Sequence, residues 1–339
     1  MGYSSQAGQL LLRTQAVAGV LQADLATAGV GMKIMSGSLA PSRELMLPDP
    51  EIGGGRDRSD AYLGGVSWSG DYEFYVRMRS LLTLLNASFG TVATAAVGTA
   101  GANEHTFTPS DGAQLPFLSI EEAIGNGLET YNYVDAVVNT IHLEAEPSGY
   151  LSGTAGVIAR TQTAGVARTP DPEWDEGPMT VGTNIFVTYN GVTVPAKSFS
   201  FDLNNNFEDD DYRLGSFYIG DLTPKGREVT AGFSIRESSS AMWRQAVYGT
   251  PGATAPGGIT TKAPLVITCQ TYEQIAGSNP LVTERLTLTL PKFALTPYSL
   301  DASGDDIIES DIEGSALRPA PGTPVCTAAV RVASAATVA

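Results

Sequence analysis

Apolar and polar residues alternate along many short stretches of the chain, and these stretches recur in a fixed order. Asp71-Tyr-Glu-Phe-Tyr-Val-Arg-Met-Arg79 alternates with the period of two that marks a half-buried strand. Ser80 to Thr91 then changes to helical spacing, broken by Gly90. In the second half Arg227 to Arg236 alternates in the same way, and Ser238 to Thr250 repeats the helix with Gly249 near its end. Ser at the start and Gly at the end are helix-capping signals in both places.

The parallel continues. A Gly, Ala and Thr-rich stretch that reads as a loop follows each helix. It leads into an apolar strand, Pro116 to Glu122 in one half and Pro264 to Gln270 in the other. Alternating strands close each set, Val138 to Glu146 and Thr283 to Leu290, and another precedes each, Met32 to Ala40 and Ala196 to Asn206. Five elements in matching order indicate a duplicated unit. The chain divides accordingly into an N-terminal arm or short helix (1–31), a first copy (32–168), a linker rich in Pro, Asp and Glu (169–182), a second copy (183–318) and a C-terminal tail (319–339). The fold class is mainly β, two tandem sandwich or half-barrel domains with one short α-helix each.

Each strand has two faces. Phe74, Val76 and Met78, with Phe199, Phe201 and Leu203, form apolar faces that can pack beneath the helix. The opposite faces carry Glu73, Glu144 and Glu146 in the first copy and Asp202, Asn204, Glu228, Ser234 and Thr287 in the second, so they are expected to be wet. Two long polar loops, Leu45 to Gly70 and Phe207 to Gly226, are too long for simple hairpins and are read as docking loops. The first carries Asp49, Glu51, Arg56, Asp57, Arg58 and Asp60; the second carries Glu208, Asp209, Asp210, Asp211 and Arg213.

Composition sharpens this picture. The 339 residues suit two domains, and 42% hydrophobic content with 37 Gly and 20 Pro fits ordered, turn-rich β structure. A formal charge of −16 argues against a surface that grips nucleic acid. Cys269 and Cys326 stand alone in their segments, suggesting neither a disulfide framework nor a zinc site. Arg13 and Asp24 interrupt the apolar stretch from Gln9 to Val30, which reads as neither a signal peptide nor a membrane span.

Candidate chemistry is sparse. His105 falls in an expected loop and His142 on a strand, with no G-x-S-x-G serine near either. Gly53-Gly-Gly-Arg56 lacks the continuation of a phosphate-binding loop and reads as a turn. Glu121 and Glu122 are adjacent on a strand and so face opposite ways, which does not suit paired-carboxylate catalysis. The clustered Asp residues lack the spacing of a calcium loop. No catalytic, cofactor or metal site is expected.

The chain resembles the tail tube proteins of long-tailed bacteriophages, in particular larger ones with two copies of the tube domain. Ser119-Ile-Glu-Glu-Ala123, Val138 to Glu146 with Leu151-Ser-Gly-Thr-Ala-Gly156, and Ser198-Phe-Ser-Phe-Asp-Leu-Asn-Asn-Asn206 carry the resemblance. It continues through Leu214-Gly-Ser216 to Tyr248-Gly-Thr250, from about Met32 to Arg318. The resemblance implies a virion component without enzymatic activity, assembled in the host cytoplasm, whose sandwich joins its neighbours into a barrel lining a tube. The polar faces bearing Glu73, Glu144, Glu146, Asp202, Asn204, Glu228, Ser234 and Thr287 would line the lumen, the two docking loops would contact the adjacent ring, and the helices would sit outside. Partners implied are copies of itself, the tape measure, tail terminator and tip proteins, and DNA in transit, with no membrane. Three chains could supply six domains per ring, or six chains one domain each. The tube of a contractile tail or injection machine, and a β-sandwich attachment or decoration protein, are the alternatives.

Overall fold

The structure is a computed structural model and describes residues 4–53, 56–112, 114–300, 307–336 and 338. After a single 3-10 turn at Ser5–Ala7 comes a strand where an arm or helix is expected: β1 (Gln9–Thr14) runs along the sheet with Leu10, Leu11 and Leu12 all buried. A run apolar on both sides marks an interior strand covered on two faces, and it has no alternation to betray it. A one-turn helix α1 (Leu25–Ala28) and strand β2 (Val30–Gly31) follow.

The rest of the first copy comprises β3 (Ser36–Gly37), β4 (Ala40–Met46), β5 (Tyr62–Tyr75), α2 (Met78–Phe89), β6 (Gly90–Val97), β7 (Ala102–Pro109), β8 (Leu118–Ile124), β9 (Glu129–Ala145) and β10 (Ser152–Ala164). After the two-residue β11 (Glu173–Trp174), the second copy comprises β12 (Ile185–Tyr189), β13 (Val192–Val194), β14 (Ala196–Asn204), β15 (Glu228–Arg236), α3 (Ala241–Tyr248), β16 (Ala263–Gln274), β17 (Thr283–Leu295), β18 (Glu309–Ala316) and β19 (Thr327–Ala333).

The strand pairings run in parallel order in the two halves of the chain. Antiparallel neighbours run β1, β8, β9, β10, β5, β4 in the first copy. In the second they run β12, β16, β17, β18, β15, β14, the same elements in the same order. Two further contacts knit the copies: the C-terminal half of β9 pairs with β14, and β19 lies between β17 of the second copy and β7 of the first.

Several expectations change. The Gly, Ala and Thr-rich stretch after the first helix is a hairpin, β6 with β7, because the β-branched residues among it, Thr91, Val92, Thr94 and Val97, suit a pleated surface better than a loop. The linker is not loose. Asp175 and Thr180 are buried, the Leu151 amide donates to the Thr180 carbonyl at 2.9 Å, and β11 pairs with β2. Much of the C-terminal tail belongs to the sheet through β19. Gly54 and Gly55, from the turn expected at 53–56, lie outside the described residues.

The helices differ from each other. α2 is buried along nearly its whole length, Leu81, Leu82 and Leu85 completely, so it is a core helix rather than an outer one. It packs on β1, β7 and β9 of its own copy and on β17 and β19 of the other. Its N-terminus is capped by Asp175, whose Oδ2 accepts from the Ser80 amide at 2.6 Å, and no Ser hydroxyl takes that role. α3 buries only Gln245 and Ala246 and sits outside as expected. Gly90 and Gly249 end the two helices with φ of 89° and 94°, the left-handed region in which glycine carries little penalty.

Candidate functional site

The β9·β14 pairing makes one uninterrupted strip of sheet, in the order β4, β5, β10, β9, β14, β15, β18, across both copies. Residues opposite one another on paired strands point to the same side. One row across the strip is therefore Glu73, Thr154, His142, Asp202, Thr230 and Ser315. The next is Tyr75, Ser152, Glu144, Ser200, Gly232 and Glu313, and on the other flank lie Asp71, Gly156, Thr140, Asn204 and Glu228. Ser198, Ser234 and Asp311 extend the same face.

The intervening row shows why this face is wet. Phe74, Gly153, Leu143, Phe201, Ala231 and Gly314 point the other way, into the core, and each of the apolar ones is buried. Period-two alternation over strands in register separates the two sets.

Six of the eight residues read from sequence as polar-face candidates meet here: Glu73, Glu144, Asp202, Asn204, Glu228 and Ser234. Glu146 follows at the end of β9, exposed. Thr287 does not join them, because it lies on the part of β17 flanked by β16 and β19. Sequence reasoning missed Asp71, Asp311 and Glu313. In β18, Glu-Ser-Asp-Ile-Glu-Gly-Ser-Ala, Ile312 is the one large apolar side chain, and strand contrast was too weak to register.

The face is strongly acidic. Asp71, Glu73, Glu144, Glu228, Asp311 and Glu313 are exposed on it, and His142 is the one side chain in the three rows able to become positive. His142 Nδ1 lies 2.6 Å from Asp202 Oδ1 and its Nε2 lies 3.4 Å from Glu144 Oε2. The Asp202 hydrogen bond raises the His142 pKa above the usual imidazole value, with burial working against it. Because His142 is on β9 and Asp202 on β14, this bond spans the joint between copies.

The two long polar loops have different fates. Residues 47–61 join β4 to β5 at the end of an exposed hairpin, and Asp49, Glu51, Arg56, Asp57 and Arg58 are all exposed there. The second loop folds back onto the first copy. Val66 donates to the Phe217 carbonyl at 2.7 Å, the Tyr212 hydroxyl to Ser67 Oγ at 3.1 Å, and Arg160 Nε to the Ile219 carbonyl at 3.0 Å. Phe207, Ile219 and Leu222 are buried with Leu115, Val137 and Ile158 in a second hydrophobic cluster at the joint. Arg213 pairs with Asp211 and Asp221, both at 2.6 Å, and its hydrogen bond holds the Asp211 carboxyl below its ordinary range. Glu208 lies 3.6 Å from Lys225, while Asp209 and Asp210 are exposed.

The remaining candidates have structural roles. His105 sits buried on β7, not in a loop, with Nδ1 2.8 Å from Thr94 Oγ1, and burial lowers its pKa. Glu121 accepts from Gln9 Nε2 and from the Thr169 amide and hydroxyl, fastening the segment after β10 to β8. Glu122 accepts from the Tyr72 hydroxyl, and burial raises its pKa. Cys269 and Cys326 are free and buried. Among the described residues no helix is long and apolar enough to cross a membrane, and no three His, Cys, Asp or Glu side chains are grouped to hold a metal.

A family model described as phage tail tube protein matches residues 5–316. No curated protein matches the chain.

Proposed function

The chain belongs to the phage tail tube protein family, and from that premise we propose that it forms stacked three-chain rings whose acidic strips line a bore for DNA. Membership makes it a structural virion tail component that self-assembles. The observation that carries the proposal is the single strip running through both copies, wet and acidic on one side and fused to the core on the other.

Magnitudes favour three chains. Each chain offers eight strands to the strip, counting the end of β17 beside β18. With strands about 4.8 Å apart and tilted by about 40°, three chains give a circumference of about 150 Å and a backbone diameter of about 48 Å. Side chains reduce that to a bore of about 35 Å, enough for a duplex roughly 20 Å across. Two chains would leave under about 20 Å, and six would enclose about 95 Å between backbones.

The lumen's function follows from charge. A wall of carboxylates repels phosphates, and the two cations at its flank, Lys197 and Arg236, are both tied to Glu309. In this reading the exposed loop at 47–61 meets the adjacent ring, a tape measure protein occupies the bore during assembly, terminator and tip proteins close the ends, and assembly takes place in the host cytoplasm before incorporation into virions. Electron microscopy of the negatively stained purified chain tests it: tubes of uniform width with a stain-filled bore are expected. Small discrete oligomers at every concentration would instead favour an attachment or decoration role.

A further inference from the structure

The molecule has a second outward face, and we propose that it carries an anion site for a phosphate-type oxyanion, built from Arg285, Arg331 and Thr287 where β17, β19 and β7 meet. The inference goes beyond the tube reading and does not depend on it.

Strand register assembles the site. β16, β17, β19, β7 and β6 lie side by side, and one row across them is Gln270, Arg285, Arg331, Glu104 and Ala95. The next row is Thr268, Thr287, Ala329, Thr106 and Ala93. Apart from the two arginines and Glu104, both rows are uncharged. The alternate residues Leu286, Leu288, Val330 and Phe107 share one core with Phe74, Leu143 and Phe201, so this face points away from the acidic strip.

Charge balance is what calls for a ligand. Residues directly opposite on antiparallel strands stand about 5 Å apart, and like charges there repel. Arg285 and Arg331 are opposite each other. One oxygen, Glu104 Oε2, accepts from Nη2 of both, at 3.0 Å in each case. Two cations therefore share one anion, on side chains only 31%, 17% and 29% exposed for Arg285, Arg331 and Glu104. Partly desolvated charge without a counter-charge is costly. A chain with 36 Asp and Glu against 20 Lys and Arg places no second carboxylate in these rows.

Donors are left over as well. Nε of Arg285, Nε of Arg331 and the Thr287 hydroxyl are shut off from solvent and make no hydrogen bond among the described residues. Thr287 is two residues along β17 from Arg285, on the same face, and opposite it is Ala329, whose single methyl leaves room beside Arg331. An ion entering from solvent meets the outer ends of the guanidiniums first, and a small rotation of either side chain turns Nε to it. Donors converging from two guanidiniums and a hydroxyl suit a tetrahedral oxyanion better than a planar carboxylate. The bound ion would tie β17 of the second copy to β7 of the first through β19.

Isothermal titration calorimetry of the full-length chain with inorganic phosphate, at constant ionic strength, tests the site. A dissociation constant on the order of 1 mM is expected from two charge-assisted contacts to a partly exposed ion. Arg285→Gln should weaken binding at least about tenfold, the loss of one such contact. Glu104→Gln removes the competing anion, so it should tighten binding, and phosphate should raise the melting temperature of this variant more than that of the natural chain. If Arg285→Gln fails to fold, Thr287→Val keeps both guanidiniums and should still weaken binding severalfold. No phosphate binding by the natural chain, unchanged affinity in Arg285→Gln or Thr287→Val, or weaker binding in Glu104→Gln overturns the site. Acetate bound as tightly as phosphate overturns the tetrahedral ligand. A rise in melting temperature that phosphate gives equally to every variant is the general effect of an excluded salt and also counts against the site.

Discussion

Glu284 is expected to make the chain less stable as pH rises towards neutrality, and replacing it with Gln should remove that dependence. The residue lies on β17 with its Oε2 buried and without a hydrogen-bond partner, near Asp175 and Glu273. Burial, then the charges of Asp175 and Glu273, push its carboxyl up from 4.5 to about 7. A carboxyl with a raised pKa binds its proton more tightly in the folded chain than in the unfolded one. Folding is therefore favoured most below about pH 4.5, and the advantage is lost progressively until the pH passes about 7. The difference between those two values corresponds to about 3 kcal/mol, an upper bound because the side chain is only partly buried. Glu284→Gln should accordingly match the natural chain in denaturant unfolding at pH 5 and exceed it by about 2 kcal/mol at pH 8. Melting temperature at pH 8 should rise by several degrees for a chain of this size. Equal or lower stability of the variant at pH 8, or a gain independent of pH, would refute the argument and with it the close approach of the 169–182 segment to β17.

Phe207→Ala should cost about 3–5 kcal/mol in unfolding free energy, because it hollows the cluster that seals the two copies. His142→Gln should flatten the change in unfolding free energy above pH 6.5: the imidazole pKa is raised by Asp202, so the bond's stabilisation is complete below that pH and is lost as pH rises through the folded-state value. Gly90→Ala should destabilise by more than about 1 kcal/mol, measured by thermal melting, since its φ is 89° and an added Cβ would lie 2.8 Å from Leu115 Cδ2. Glu73→Lys combined with Glu144→Lys and Glu313→Lys should leave tube formation intact but make assembled tubes retain DNA in a steeply salt-dependent way, read by co-sedimentation at two ionic strengths.

What the sequence disclosed depended on contrast between faces. β5, β14 and β15 alternate cleanly between large apolar and polar side chains, so their faces, and most of the acidic strip, could be assigned in advance. β1, with three consecutive leucines, and β18, with one large apolar residue, carry little contrast, so the first reads as an arm or short helix and the second is not marked as a strand. Gly90 and Gly249 announced the helix ends because backbone geometry there demands them. The cap on α2 was not legible, since Asp175 comes from 95 residues away. Nor was the folding back of the second long loop, which depends on Phe207, Ile219 and Leu222 finding Leu115, Val137 and Ile158. Alternation identifies an inside and an outside for each strand, and it says nothing about which strands become neighbours.

The placement of β19 sets a condition on timing. This strand follows all the others in chain order, yet it is inserted between β17 and β7 and helps to cover α2. A polypeptide that has not yet reached residue 327 therefore presents two incompletely joined halves and a helix still open on the side that β19 covers.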